Sequence, residues 1–301
     1  MNFLSIDDLS KDQIKEIFLL ADEIRKGKEE MSLRVGHVAV LLFEKPSTRT
    51  RVSFEAAIAQ LGGHYIDVDS RSSQISRGES WADTAKVLSL YADMIIARLN
   101  THESLVELAN NSSVPVINAL TDLEHPTQAL SDIYTVQEVK RRLNGIKFAF
   151  IGDIASNTAN SLLLCATRMG MEVSLVGPKN YSPNSKYLTK AREYGIVRVS
   201  SSIQEGLADA DVVYTDTFVS MGEEAEAEER RKLFAPYQLN SQGMSYAKGD
   251  AVVMHCLPAH RGEEITSEVI DGKQSIVFKQ AKNKLLMEKA IILYMAGVKK
   301  V

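Results

Sequence analysis

Short runs of consecutive apolar residues recur along the chain, each followed by an amphipathic stretch, and this rhythm limits the possible folds more than any other feature. HVAVLLF (37–43), HYIDV (64–68), DMIIARL (93–99) and VPVINAL (114–120) read as strands, with helices at 51–61, 80–91 and 102–110 between them. Strands this apolar need cover on both faces, as in a parallel sheet packed between helices. The first thirty residues read as a helix on Leu9, Ile14, Ile17, Phe18, Leu20 and Ile24, with Ser5 or Asp7 to cap it. HPTQALSDIYTVQEVKRRL (125–143) reads as one long helix with Pro126 in its first turn, and Asn144-Gly145 after it marks a bridge to a second unit. There the rhythm repeats, with strands at 147–152, 172–178, 211–216 and 250–258, helices at 158–169 and 187–194, and a closing amphipathic helix at 280–297. The expectation is an α/β chain of two domains, each a parallel sheet flanked by helices. MGEEAEAEERRKLFAPY, rich in Glu and Arg, reads as either a solvated helix or a mobile loop.

Composition narrows the function classes. A chain of 301 residues is long enough for two cores, and 45% hydrophobic with 25% charged residues is ordinary for a globular protein. A net charge of −4 argues against a surface built for nucleic acid, so any anion site must be local. Cys165 and Cys256 are far apart and show neither CxxC spacing nor disulfide density, which fits a reducing compartment. The start, MNFLSIDDLSKDQIKEI, lacks the basic and apolar regions of a signal peptide, and no run approaches a membrane span. The expectation is a cytoplasmic, non-membrane protein.

In open α/β sheets ligands gather at the carboxyl ends of strands. After Phe43 the chain reads EKPSTRTR, which puts Ser47, Thr48, Arg49, Thr50 and Arg51 at a turn and a helix start. Free N–H groups, the helix dipole, three hydroxyls and two arginines would suit a phosphate; the alternative is a Ser cap with a solvated basic first turn. Arg98 ends an otherwise apolar strand, and His125 and Gln128 open the long helix. These could converge on one crevice, or His125 could be a surface residue. GDIASNTANS follows a strand as a dinucleotide-binding turn would, but lacks the glycine fingerprint, so a nicotinamide cofactor is not expected. Asn157 and Asn160 offer amides suited to a zwitterion, and Asp216 at a strand end could pair with an ammonium or lie in solvent. Cys256, between His255 and His260, could be a nucleophile, a metal ligand or a buried thiol.

FEKPSTRTRVSFE, ESWADTAKVLSLYADMIIAR, HPTQALSDIYT, DTFVSMGEE and HCLPAHRGEEIT occur in this order, and with them the chain resembles the aspartate/ornithine carbamoyltransferase family from about residue 3 to 298. HCLP and the pattern from Asp216 to Gly222 resemble the ornithine branch. The resemblance implies a carbamoyl-phosphate-binding domain over 1–135, with 280–301 packing back on it, and an ornithine-binding domain over 145–279, joined by two interdomain helices. It implies transfer of a carbamoyl group from carbamoyl phosphate to the δ-amine of ornithine, giving citrulline and phosphate, with no cofactor and no metal. Relatives that accept putrescine or an acylated ornithine share much of the pattern, and a binding subunit without catalysis is a further alternative.

Residue by residue, the resemblance implies that Ser47, Thr48, Arg49 and Thr50 hold the phosphate and that Arg98 bridges phosphate and carbonyl oxygen. His125 would donate to that oxygen and Gln128 accept from the carbamoyl amide, with Pro126 and Thr127 beside them. Gln74 would reach a neighbouring subunit's site, which implies a homotrimer with shared sites, able to assemble further. Asn157, Asp216, Ser220 and Met221 would bind ornithine, and Cys256 with the Leu257 carbonyl would meet the δ-amine and the carbamoyl NH2. Lys284 stands where the ornithine branch usually has Arg, and Ser156 where Asn is common. A lysine is a point charge rather than a planar fork, so weaker carbamoyl phosphate binding is expected. A lower KM for carbamoyl phosphate in Lys284→Arg checks this; one extra hydrogen bond of ~1 kcal/mol corresponds to a drop of about fivefold.

Overall fold

The computed structural model describes residues 1–27, 31–69, 74–219 and 224–298. The chain divides into two compact units, Met1–Ser131 with Asn283–Val301, and Asp132–Lys282.

The first unit begins with α1 (Lys11–Arg25), then alternates β1 (Val38–Phe43), α2 (Thr48–Gln60), β2 (His64–Asp69), α3 (Trp81–Tyr91), β3 (Met94–Arg98), α4 (His102–Asn111) and β4 (Val116–Leu120). The sheet is parallel in the order β2-β1-β3-β4. Strands β3 and β4 are buried throughout, and Val40, Leu42, Ile95, Ala97, Leu105, Leu108 and Val116 form one core cluster. The expected helix over the first thirty residues is shorter. Phe3 exchanges backbone hydrogen bonds of 2.8 Å with Val116 and Asn118, covering the open edge of β4, and Ser5 caps only a 3-10 turn, Ile6–Asp8. Ser10 caps α1, with Gln13 three residues on closing a capping box.

Helix α5 (Pro126–Lys140) leads into the second unit, where β5 (Lys147–Ile151), α6 (Asn157–Arg168), β6 (Glu172–Val176), α7 (Ser185–Tyr194), β7 (Val197–Ser200), α8 (Ile203–Leu207) and β8 (Val212–Thr215) follow. Then come α9 (Ala227–Phe234), α10 (Ser241–Tyr246), β9 (Val252–Met254), α11 (Ser267–Ile270) and α12 (Val277–Met295). The division between the units falls within α5 and within α12. This sheet is also parallel, in the order β7-β6-β5-β8-β9. Strand β7 escapes the apolar pattern because it is a short edge strand with Arg198 exposed. The stretch expected to be a solvated helix or a loop contains α9, and Arg230 on it is buried.

Both sheets have a topological switch point, where connections on the two sides run in opposite directions and leave a crevice at the carboxyl ends. In the first unit it lies between β1 and β3, where Phe43 pairs in register with Arg98. In the second it lies between β5 and β8, where Ile151 pairs with Thr215.

Candidate active site

In the first unit the switch point is bordered by the start of α2. Ser47 caps that helix, its hydroxyl accepting from the Thr50 N–H at 3.3 Å, so α2 begins three residues earlier than expected and Arg49 lies in its first turn. Thr48 and Arg49 are exposed there, whereas Thr50 is buried. Arg51 is committed elsewhere: its guanidinium pairs with Asp67 on β2 and lies 5.1 Å from the centre of the Phe43 ring. Of the two arginines read as anion donors, Arg51 already has a carboxylate partner.

Arg98 is buried at the end of β3, and His125, immediately before α5, is buried rather than superficial. Burial, then the Lys284 ammonium and the Arg98 guanidinium, hold His125 well below the usual imidazole value, so the ring is neutral at pH 7. Pro126 opens α5, Thr127 is fully buried, and Gln128 accepts a hydrogen bond of 2.8 Å from Lys284 Nζ through Oε1. Lys284 and Gln128 are both buried. Gln74 is exposed at the start of a 3-10 turn, Gln74–Arg77.

Glu288 was invisible to the sequence reading. It lies one helical turn along α12 from Lys284, fully buried, with the ammonium 3.5 Å from its carboxylate. Burial pushes its carboxyl up to about 7, although Lys284 and the Ser53 hydroxyl on α2 pull the other way. Because the folded value exceeds the ordinary one, the linked stability is fully present below about pH 4.5 and is lost as pH rises through about 7. Glu288→Gln, which mimics the neutral acid, should therefore match the wild type near pH 4.5 and exceed it at pH 8 by up to about 3 kcal/mol. Denaturant melts at the two pH values test this, and equal stability at pH 8 would refute it.

In the second unit, Ser156 caps α6 by accepting from the Ala159 N–H at 3.2 Å, as an asparagine would. Asn157 is the first residue of that helix and is partly exposed, whereas Asn160 is buried and less accessible to a ligand. Just past the end of β8, Asp216 Oδ1 accepts from the Thr217 N–H at 2.8 Å and from the Cys256 thiol at 3.2 Å. Burial, then the charges of Asp216 and Asp132, push the Cys256 thiol well above its usual value. Cys256 is therefore a protonated donor, which disfavours a nucleophilic role. Ser220 and Met221 lie outside the described residues.

A buried network fixes the chain around Cys256. The Tyr214 hydroxyl donates to Asp132 Oδ2 at 2.8 Å, Gln280 Nε2 donates to Asp132 Oδ1 at 2.8 Å, and Gln280 Oε1 accepts from the His255 N–H at 3.0 Å. His255 Nδ1 accepts from the Leu257 N–H at 2.9 Å, so the ring proton sits on Nε2 and points to Glu264 Oε1 at 3.1 Å. Burial works to raise the Glu264 carboxyl, but the hydrogen bonds from His255 and the His260 N–H leave it below its usual value. Leu257 has φ 58°, a left-handed conformation costly for a non-glycine residue, and the His255 bond helps hold it there.

Among the described residues, two groups have donor atoms close enough to share a cation: Asp216, His255 and Cys256, and His260, Glu263 and Glu264. In the first, both His255 nitrogens are engaged and the thiol keeps its proton; in the second, Glu264 already accepts from His255 and from the His260 N–H. Either group would have to give up these bonds to bind a metal.

Two family models cover nearly the whole chain: the aspartate/ornithine carbamoyltransferase carbamoyl-P binding domain over residues 1–138, and the Asp/Orn binding domain over 144–295. The chain belongs to the aspartate/ornithine carbamoyltransferase family. It is 46% identical over 300 residues to an ornithine carbamoyltransferase of Anoxybacillus flavithermus, covering 97% of this chain and 95% of that one. The Bacillus subtilis ornithine carbamoyltransferase is 45% identical over 296 residues, covering 97% and 92%. Among solved structures, ornithine carbamoyltransferase from Pyrococcus furiosus matches with a TM-score of 0.93 and 42% identity, covering 99% of this chain and 98% of that one. The anabolic ornithine carbamoyltransferase from Campylobacter jejuni matches with a TM-score of 0.93 and 40% identity, covering 98% and 99%. These carbamoyltransferases share the two-domain α/β fold described above.

Proposed function

We infer that this chain transfers the carbamoyl group of carbamoyl phosphate to the δ-amine of L-ornithine, releasing L-citrulline and phosphate. The observation that carries the reading most directly is the neutral, buried His125 under the charges of Lys284 and of Arg98, which ends the strand beside a sheet switch point. A neutral δ-amine attacks the carbamoyl carbon, a C–N bond forms, and negative charge grows on the carbonyl oxygen. The bond from that carbon to the phosphate oxygen then breaks, and the phosphate leaves, taking up the proton that the attacking nitrogen sheds. His125 and Arg98 donate to the developing oxyanion, the term that usually contributes most to acyl-transfer catalysis. Ser47, Thr48, Arg49 and Thr50 bind the phosphate at the start of α2, while Gln128 and Lys284 orient the carbamoyl group, with Pro126 and Thr127 shaping the turn.

Asn157 and Asp216 bind the α-amino acid end of ornithine, together with Ser220 and Met221 on the strength of the family resemblance. The protonated Cys256 and the Leu257 carbonyl orient the amine, and the thiol keeps its proton while donating to Asp216. Two cysteines without CxxC or disulfide spacing support a cytoplasmic enzyme, and its ornithine carbamoyltransferase relatives support a place in arginine metabolism, in the biosynthetic or the deiminase direction. No helix among the described residues is long and apolar enough to cross a membrane. A homotrimer with Gln74 reaching a neighbouring site is supported by the exposed apolar side chains near it in sequence: Tyr65 at 42%, Ile66 at 47%, Leu90 at 78% and Tyr91 at 69%. Light scattering giving the mass of three chains, or a multiple of it, tests the assembly.

The deciding experiment supplies carbamoyl phosphate with ornithine, putrescine, acetylornithine or aspartate and follows carbamoylated product. Ornithine should give the highest kcat/KM. Preference for another amine would overturn the acceptor, and no product from any of them would leave a binding subunit.

A further inference from the structure

Lys284 replaces an arginine fork with a flexible stem, and a lysine chain on its own gains little from a single hydrogen bond while losing rotamer freedom. In this chain its ammonium donates to Gln128 Oε1 at 2.8 Å and lies 3.5 Å from a Glu288 carboxylate oxygen as an ion pair, all three side chains buried. Resting on the functional reading above, we propose that Glu288 is a positioning residue that holds the Lys284 ammonium beside Gln128, and so lessens what the lysine loses relative to a planar guanidinium.

Glu288 is hard to explain as a stabilising feature. A carboxyl buried deeply enough to be raised to about 7 carries a desolvation penalty that an apolar side chain of similar volume would avoid. Its geometry suits positioning. Residues four apart on a helix lie on one face, so Glu288 reaches Lys284 along α12, while Gln128, on α5, accepts from the same ammonium. The carboxylate thus pairs with the lysine that reaches Gln128 on α5.

The test is a four-chain cycle at pH 8: wild type, Glu288→Gln, Lys284→Arg and the double variant, each titrated calorimetrically with carbamoyl phosphate and assayed for citrulline. Thermal melts run alongside, with Glu288→Met as an apolar second variant should the glutamine fold poorly. In the lysine background, loss of Glu288 should weaken carbamoyl phosphate binding by about 5- to 30-fold, the cost of ordering a lysine chain that the carboxylate had already ordered. KM for carbamoyl phosphate should rise in step, while KM for ornithine stays within about twofold. In the arginine background the same change should cost less than about twofold, because the fork orients itself. Unchanged or tighter binding in a folded variant, or an equal loss in both backgrounds, would overturn the proposal. Wild-type binding without citrulline formation would instead overturn the catalytic reading, with the four affinities still deciding the role of Glu288. A wild type that does not bind carbamoyl phosphate would overturn both.

Discussion

His125→Ala is expected to lower kcat by about 10²- to 10³-fold, the usual loss when one oxyanion donor is removed, with KM for carbamoyl phosphate changing far less. The argument rests on protonation state and place. Burial, Lys284 and Arg98 keep the imidazole neutral, so at pH 7 it offers one N–H and no charge that substrate binding would have to compensate. Such a donor matters little to the ground-state carbonyl and much more to the oxygen as it becomes negative. His125→Asn, which keeps a donor at shorter reach, should recover part of the loss. The same neutrality has a consequence for pH. Protonation of His125 falls well below 6.5, so an acid limb in kcat near that value would belong to another group. Steady-state citrulline formation measures all three, and a His125→Ala variant within about threefold of wild type would remove His125 from the chemistry.

Arg230→Ala should destabilise the second unit by about 3–5 kcal/mol, because it leaves the Asp153 carboxylate buried without its ion-pair partner. Arg230 Nε donates to the Phe218 carbonyl at 2.9 Å, one terminal nitrogen donates to the Tyr181 hydroxyl at 2.9 Å, and the other pairs with Asp153 at 2.5 Å. The guanidinium also lies 5.6 Å from the centre of the Tyr181 ring and 5.4 Å from that of Phe234. These contacts tie α9 to the turn after β5, where Asp153 also accepts from the Ala155 N–H at 3.0 Å. Adding Asp153→Leu to Arg230→Met should restore part of the stability, since the cost lies mainly in the orphaned charge. Denaturant melts with a constant m-value measure it. A loss below about 1 kcal/mol would mean that the pair is solvated and α9 loosely held.

The boundaries that sequence reading missed share a cause. Ser10 displaced Ser5 as the cap of α1 because the edge of β4 draws the first residues into backbone pairing, a demand set by a strand more than a hundred positions away. Strand β7 was missed because an edge strand needs no continuous apolar run. The charged stretch around α9 reads as a solvated helix or a mobile loop because Arg230 is counted as polar until Asp153, 77 positions earlier, is found beside it. By contrast, the strand ends bearing Ser47, Arg98, His125 and Asp216 were legible, since a break from apolar residues to hydroxyls and charges is local.

The amino-acid sequence alone determined the parallel α/β rhythm, the family and the residue types that suit an anion and an amino acid, because burial period, turn chemistry and motif order are written in neighbouring positions. Tertiary structure alone decided how those residues are charged and what they hold. It made His125 neutral, kept the proton on Cys256, paired Arg51 with Asp67 and set Glu288 beside Lys284. Protonation and hydrogen-bond partnership depend on burial and on charges a few ångströms away, and those neighbours are distant in the chain.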